Sequence, residues 1–383
     1  MISGARGDAL GVSVDATAIP TAAAGAGQYA LEIVRALDRR DDISLTVITR
    51  RADASRWRAR APRASVVPLA PEARPLRLAW EQVLLPRRLR SLPVAVHHGL
   101  HYTMPERASL PVVVTVHDCT YFDHPEWHQP AKVRFFRRAI EVAARRAAAV
   151  ICVSDATAER FVELCRPAAP VVVAPHGIDR ERFSDTDAAE GSDAAALSAL
   201  GIDAGRPLVV FVGTLEPRKG VATLIGAFDM VAGSHPDAQL VLAGQDGWGS
   251  QLDALAAAKH RDRVVVTGYV PDAAVPALLR AATAVAYPSL DEGFGLPAFE
   301  ALACGAPLIT TTGTPMAGVV GDAALLVPPG DVDELAGAID TLLKGDPGVG
   351  ERRRAGLTRV AGFTWANSAS LHADAYRLAA RSG

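Results

Sequence analysis

The sequence predicts an α/β protein of two domains, each organised around a parallel sheet. Three observations carry this reading. The chain has 383 residues, and at roughly 100–200 residues per domain that length points to two domains of comparable size. Short β-rich runs alternate with helical stretches throughout, the mark of βα units around parallel sheets. The alternation then restarts after residues 184–205, a stretch rich in Asp, Ala and Gly with no long apolar run, which reads as the linker region.

In the first half, residues 12–15, 45–49, 112–117, 150–153 and 171–174 are strand-like. The first helix carries Ala30, Ile33, Val34 and Leu37 at the i, i+3, i+4, i+7 spacing that buries one face. In the second half, residues 207–213 read as a strand, and Val221, Leu224, Ile225 and Phe228 form the stripe of the helix after it. Further strands are predicted at residues 239–243, 263–267, 284–288 and 306–310. No short-period repeat is present, which excludes a solenoid.

Composition excludes several classes of function. Forty basic against 42 acidic residues leave a formal charge of −2, so no net field draws the chain to nucleic acid. Hydrophobic residues make up 49%, yet no apolar run approaches the roughly 18–20 residues that cross a bilayer. The segment from Met1 to Gly7 is polar and lacks the apolar core of a secretory signal. Cys119, Cys152, Cys165 and Cys304 form no C-x-x-C pair, which argues against a zinc site or a disulfide framework. The expected setting is a reducing cytoplasm.

Ligands of open parallel sheets bind outside the carboxyl ends of the strands, so the loops after each strand are the places to search. Asp291-Glu292-Gly293-Phe294-Gly295-Leu296-Pro297-Ala298-Phe299-Glu300 combines carboxylates with a glycine loop. Pro297 suits the first position of a helix, so the amides of Gly293, Phe294 and Gly295 should lie at a helix N-terminus, where orphan donors favour a diphosphate or a sugar oxygen. An ordinary βα turn with solvated glutamates is the alternative. Gly213-Thr214-Leu215-Glu216-Pro217-Arg218-Lys219-Gly220 places two adjacent cations after another strand. These can neutralise a diphosphate, although alone they would read as a solvated basic turn.

In the first half, His117-Asp118 follows a strand, where a His can donate to a leaving group or bind a substrate hydroxyl. His97, His98 and His101 read as a nearby substrate-lining or structural loop; no carboxylate or Cys completes a metal set. Gly25-Ala26-Gly27-Gln28-Tyr29-Ala30 matches a relaxed dinucleotide fingerprint, but it does not follow its strand directly, so a glycine loop facing the interdomain cleft is the better reading. Leu76, Ala79, Trp80, Val83 and Leu84 have helical spacing with Arg77, Arg87, Arg88 and Arg90 around them, and Arg134, Arg138 and Arg145 share a second face. A core-packing stripe with solvated charges is the preferred reading, and contact with anionic lipid is the alternative.

Taken in order, these residues resemble the GT4 family of GT-B glycosyltransferases, the retaining group that includes many bacterial mannosyltransferases. The marks are Val116-His117-Asp118, Val153-Ser154-Asp155-Ala156-Thr157, Pro175-His176-Gly177-Ile178-Asp179, Leu242-Ala243-Gly244, the Gly213–Gly220 run with Val212 before it, and the E-x7-E element from Glu292 to Glu300. The resemblance implies two Rossmann-like domains with parallel sheets facing an interdomain cleft. They would comprise residues 1–180, completed by a closing helix at about 364–383, and residues 181–363.

By the same resemblance, the second domain holds the nucleotide-sugar donor and the first the acceptor, a glycan or a lipid-linked glycan. Glu300 should bind the ribose hydroxyls and Glu292 the transferred sugar, with the amides of Gly293 to Leu296 near it. Lys219 should hold the diphosphate, Gly25, Ala26 and Gly27 should close over the phosphates, and His117 should lie beside the reacting sugar. The base should rest near Tyr269 and Val270. Many relatives carry an Arg directly after Gly213, where this chain has Thr214; Arg218 is the candidate substitute. Retention without cofactor or metal is implied, with GDP-mannose the first donor candidate and UDP-hexoses and a dTDP-deoxysugar behind it. The rivals are a nucleotide-sugar epimerase of the same fold and a non-catalytic nucleotide- or carbohydrate-binding module. The implied location is cytoplasmic, with peripheral contact at the inner membrane face kept open.

Overall fold

The computed structural model describes residues 9–20, 25–187, 191–247, 249 and 251–382. The polar segment Met1 to Gly7 lies outside the described residues. The chain divides into two compact units. One runs to Gly177 and resumes at Trp365, and the other is Ile178–Thr364.

The first unit holds strands β1 (Leu10–Asp15), β2 (Ile43–Arg50), β3 (Ser65–Ala70), β4 (Val96–Gly99), β5 (Val112–Val116), β6 (Ala149–Cys152) and β7 (Val171–Val173). They form one sheet in the order β3-β2-β1-β4-β5-β6-β7, every pair parallel. The order reverses between β1 and β4, the place where doubly wound sheets open a ligand crevice. The interior strand β5 is Val-Val-Val-Thr-Val and wholly buried, as a strand covered on both faces requires. Helix Ala26–Asp38 buries Ala30, Ile33, Val34 and Leu37 on the predicted stripe. Helix Trp365–Arg381 returns after the second unit and packs on that helix and on β4 to β7, burying Ala369, Ala373, Tyr376 and Ala379.

The second unit repeats the plan with β8 (Leu208–Val212), β9 (Gln239–Ala243), β10 (Val264–Gly268), β11 (Ala284–Tyr287), β12 (Leu308–Thr311) and β13 (Ala324–Val327). Their order is β10-β9-β8-β11-β12-β13, again all parallel. The reversal here falls between β8 and β11. Helix Val221–Ala232 follows β8 and buries Val221, Leu224, Ile225 and Phe228.

Several expectations are corrected. His97 and His98 belong to β4 rather than to a loop; hydropathy misses that strand because half of it is imidazole, which the fold nevertheless buries. β3 was hidden by Pro68, which an edge strand tolerates. Residues 184–205 are not a spacer between the units. They lie inside the second unit, carry helix Ser192–Ala199, and are fastened by Arg280, which bonds both Asp193 oxygens at 2.6 Å and the Ser184 carbonyl at 2.9 Å.

The core-stripe reading of residues 76–84 is also overturned. On helix Arg74–Val83 only Trp80 of that stripe is buried; Leu76 is 62% and Val83 56% exposed, and Leu84, just beyond the helix, is 47% exposed. Arg77, expected in solvent, is buried and donates to Thr17 and Glu81. Among the described residues no helix is long and apolar enough to cross a membrane.

Candidate functional site

In the second unit, the two charged loops leave neighbouring strands on either side of the sheet's reversal. After β8, Pro217–Lys219 forms a single 3-10 turn, closed by Gly220 at φ 66°. A Cβ on Gly220 would stand 2.1 Å from the Pro288 carbonyl oxygen, so only glycine lets this loop lie against the one after β11. A main-chain bond from Leu290 N–H to the Arg218 carbonyl, 2.7 Å, joins the two.

The side chains then meet. Arg218 Nη1 donates to Glu292 Oε2 at 2.9 Å, and its Nε pairs with Glu216 Oε1 at 2.5 Å. Lys219 Nζ donates to Glu292 Oε1, which also accepts from Ser289 Oγ at 3.3 Å. Burial alone would raise the Glu292 pKa; the charges and hydrogen bonds of Arg218 and Lys219 outweigh it and hold the carboxyl at about 2. Burial pulls Lys219 below its usual value against the opposing attraction of Glu292. Two cations and two carboxylates therefore balance, leaving the cluster without net charge.

Helix Leu296–Ala303 begins directly after Gly293, Phe294 and Gly295. Pro297 is its second residue, one place later than predicted. Gly295 caps it at φ 89°, and a Cβ there would come within 2.8 Å of Met316 Sδ. Phe294 is buried against Phe299 and Phe363, which anchors the glycine loop from below. Further along, burial raises the Glu300 carboxyl to about 7, with Arg182 lowering it and Asp272 raising it. Gly213, directly after β8, donates its N–H to the Ala243 carbonyl at 2.8 Å. Thr214 is half-buried beside it. Tyr269 and Val270 follow β10, two strands from β8; Tyr269 is 58% exposed and Val270 is buried.

In the first unit, His117 follows β5 and is buried. Its Nε2 lies 2.9 Å from the Leu100 carbonyl oxygen. A carbonyl only accepts, so Nε2 carries the proton and Nδ1 keeps the lone pair. Burial depresses the His117 pKa. Asp118 is not its partner: it accepts from Thr120 N–H at 3.1 Å and Thr120 Oγ1 at 2.8 Å. Gly25, at φ 52°, starts helix Ala26–Asp38 without a side-chain cap, with Ala26 and Gly27 in the first turn. Ser154 caps helix Asp155–Cys165 by accepting from Thr157 N–H, a local structural role for that motif.

The structure thus brings Arg218, Lys219 and Glu292 into one cluster beside Gly293 to Leu296. Glu300 sits farther along the same helix, Tyr269 and Val270 stand apart at the end of β10, and His117 and the Gly25 loop belong to the other unit. Glu216 and Ser289 were not singled out from sequence, although Glu216 lies inside the run that contains both cations. Ser289 precedes Glu292 with no spacing signal of its own.

Comparison with known proteins agrees with this layout. The family model for glycosyltransferase family 4 matches residues 23–182, and that for glycosyl transferases group 1 matches residues 194–356. The chain is 29% identical over 311 residues to the O-antigen chain mannosyltransferase B of Escherichia coli, covering 79% of this chain and 81% of that protein. It is 32% identical over 295 residues to the D-inositol 3-phosphate glycosyltransferase of Kribbella flavida, covering 72% and 67% respectively. The fold is similar to that of Anabaena HepE, solved in complex with UDP and glucose, with a TM-score of 0.76 at 19% identity over 96% of this chain and 99% of that one. The chain is a glycosyltransferase of the GT-B fold and belongs to the GT4-type, group 1 family.

Proposed function

We propose that this enzyme moves a hexose, mannose from GDP-mannose before other donors, onto an acceptor hydroxyl with retention of anomeric configuration and without a metal ion. The observation that carries the reading is the cluster of Arg218, Lys219 and Glu292 at the reversal of the second sheet, beside the glycine-capped start of helix Leu296–Ala303. Fixed cations and helix-end amides stabilise charge that grows on a departing diphosphate, with no reorganisation needed at that moment. Glu292 then exchanges its cations for the sugar hydroxyls as the diphosphate takes them over. Glu300 holds the ribose, the loop at Tyr269 and Val270 takes the base, the Gly25 to Gly27 loop closes over the phosphates, and His117 acts in turnover rather than in donor affinity. The mannosyl assignment is supported by the E. coli relative, whose name is that of a mannosyltransferase.

A nucleotide-sugar panel tests this directly. GDP-mannose should give the highest rate of nucleotide release, undiminished by chelator, and NMR of the product should show a retained linkage. An inverted linkage, or conversion to a new nucleotide sugar without transfer, sinks the proposal. In the phosphate site, Arg218→Ala should lower turnover and Thr214→Arg should restore part of it; a silent Arg218→Ala would leave the diphosphate to Lys219 and main-chain amides.

The acceptor is a glycan or lipid-linked glycan met at the cytoplasmic membrane face. Leu76, Val83 and Leu84, exposed next to the exposed Arg87, Arg88 and Arg90, support a peripheral contact of apolar insertion and charge. Salt-sensitive sedimentation with anionic liposomes should reveal it, and its absence would remove the membrane from the scheme.

A further inference from the structure

Five buried side chains of the first unit form one continuous chain of hydrogen bonds. Tyr376 Oη lies 2.8 Å from His98 Nδ1, and His98 Nε2 lies 2.8 Å from Thr115 Oγ1. Thr115 Oγ1 lies 2.9 Å from Tyr29 Oη, which lies 2.8 Å from His372 Nε2. The far nitrogen of His372 meets the Ser368 carbonyl at 2.7 Å. All five side chains are inaccessible to solvent.

That terminal carbonyl fixes every proton. Because it only accepts, His372 Nδ1 donates, and in a neutral ring Nε2 must then accept from Tyr29. The Tyr29 oxygen accepts in turn from Thr115, Thr115 accepts from His98 Nε2, and His98 Nδ1 accepts from Tyr376. Burial keeps both imidazoles neutral, as this order demands. Each group donates once along the chain, and none can turn without orphaning a neighbour in the core.

Tyr29 is where this chain meets the candidate site. Its ring stands edge-on to the His117 ring, centroids 5.0 Å apart at 78°. Thr115, which holds its hydroxyl, lies two residues before His117, and Gly27 lies two residues before Tyr29 itself. Tyr102 is also perpendicular to the His117 ring, with centroids 5.5 Å apart at 78°. The main-chain bond at Nε2 sets one end of the imidazole, and the tyrosine edges set its plane.

Building on the role in turnover given to His117 above, we propose that Tyr29 is a positioning residue for His117, with its hydroxyl anchored by Thr115 and His372 so that helix Trp365–Arg381 governs the geometry of the site. Tyr29→Phe keeps the ring and removes the anchor. With the nucleotide sugar of highest turnover in the panel above, GDP-mannose being the one expected, this variant should lower kcat about tenfold and leave donor KM and GDP affinity unchanged. The decisive measurement is a double-mutant cycle with His117→Ala. If Tyr29 acts through His117, adding Tyr29→Phe to His117→Ala should change kcat less than twofold, whereas a merely structural tyrosine would lower it by its full factor in both backgrounds. Thr115→Val, which breaks the same anchor from its other end, replaces Tyr29→Phe if that variant does not fold. A full tenfold loss in the His117→Ala background, or an unchanged kcat for Tyr29→Phe and Thr115→Val, overturns the proposal. A normal kcat for His117→Ala alone overturns it too, by removing the catalytic reading on which it rests.

Discussion

Acid should unfold the first unit before the second. Burial holds the imidazoles of His97 and His372 at about 4 and that of His101 at about 3, and it also depresses those of His98, His117 and His176. In an unfolded chain a histidine titrates near 6.5. The folded unit therefore binds fewer protons than the unfolded chain once the pH drops below about 6.5, so the stability these groups allow at neutral pH is lost on acidification. Each of the three whose values are given contributes a loss of about 2 kcal/mol at pH 5, hence about 6 kcal/mol together, and the other three act in the same direction. One group opposes them. Burial raises Glu81 to about 7, so the folded state holds that proton where the unfolded chain has released it, and moving from pH 8 to 5 returns about 2–3 kcal/mol. The net loss from His97, His101, His372 and Glu81 is about 3–4 kcal/mol, against a total stability of about 5–15 kcal/mol for a domain. At roughly 2–4 °C per kcal/mol, the unfolding midpoint should fall by on the order of 10 °C or more. The second unit behaves oppositely, because Glu300, at about 7, gains stability over the same interval. Four of the five tryptophans, Trp57, Trp80, Trp127 and Trp365, lie in the first unit, and the fifth, Trp248, falls within the stretch 178–364, so emission from a Trp248→Phe variant reports the first unit. Thermal unfolding followed by tryptophan emission from pH 8 to 5, with hydrogen exchange read on peptides of each unit, checks the order. A fluorescence midpoint that does not move, or second-unit peptides that exchange first, refutes the histidine ledger.

Three further outcomes follow from the second unit. If the ionised Glu300 accepts the ribose hydroxyls, affinity for the nucleoside diphosphate should rise with pH through about 7 and level above it; calorimetry should show a profile flattened by Glu300→Gln, and an unchanged slope in that variant would exclude the carboxyl as its source. Glu292→Gln removes one charge from the balanced cluster of Arg218, Lys219, Glu216 and Glu292, so free diphosphate should bind several-fold more tightly while turnover falls by about 100-fold or more; weaker diphosphate binding would contradict the exchange described for Glu292. Gly295→Ala combines a φ of 89° with a contact of 2.8 Å to Met316 and should destabilise the second unit by about 1–3 kcal/mol. An unchanged urea midpoint would show that the glycine is dispensable.

What could be read from sequence depended on whether a feature was local. Residues 213–220 and 291–300 stand out because glycine, proline and charge crowd together after apolar runs, and that signal is contained in each run. Their adjacency is not, since it follows from β8 pairing with β11 across two intervening strands in sequence. Arg218 meets a carboxylate 74 positions away, and no spacing rule reaches that far. The helical period at Leu76, Ala79 and Val83 gave the right element and the wrong environment, because periodicity fixes which residues share a face but not what that face meets. β4 failed for another reason. Its two imidazoles look like loop residues until their hydrogen-bond partners, Ser13 for one nitrogen of His97 and Thr115 and Tyr376 for both of His98, are brought alongside by the fold.

The return of helix Trp365–Arg381 to the first unit has a consequence for biosynthesis. Ile178–Thr364 is a continuous stretch, complete as soon as it has left the ribosome. The seven-stranded unit, although translated first, must wait with the sites for Tyr376 and His372 open until that helix emerges, so the later half is finished before the earlier one. During that interval its exposed core is the part of the nascent chain that a chaperone would have to cover, and a stop codon anywhere in the second unit would strand it unfinished.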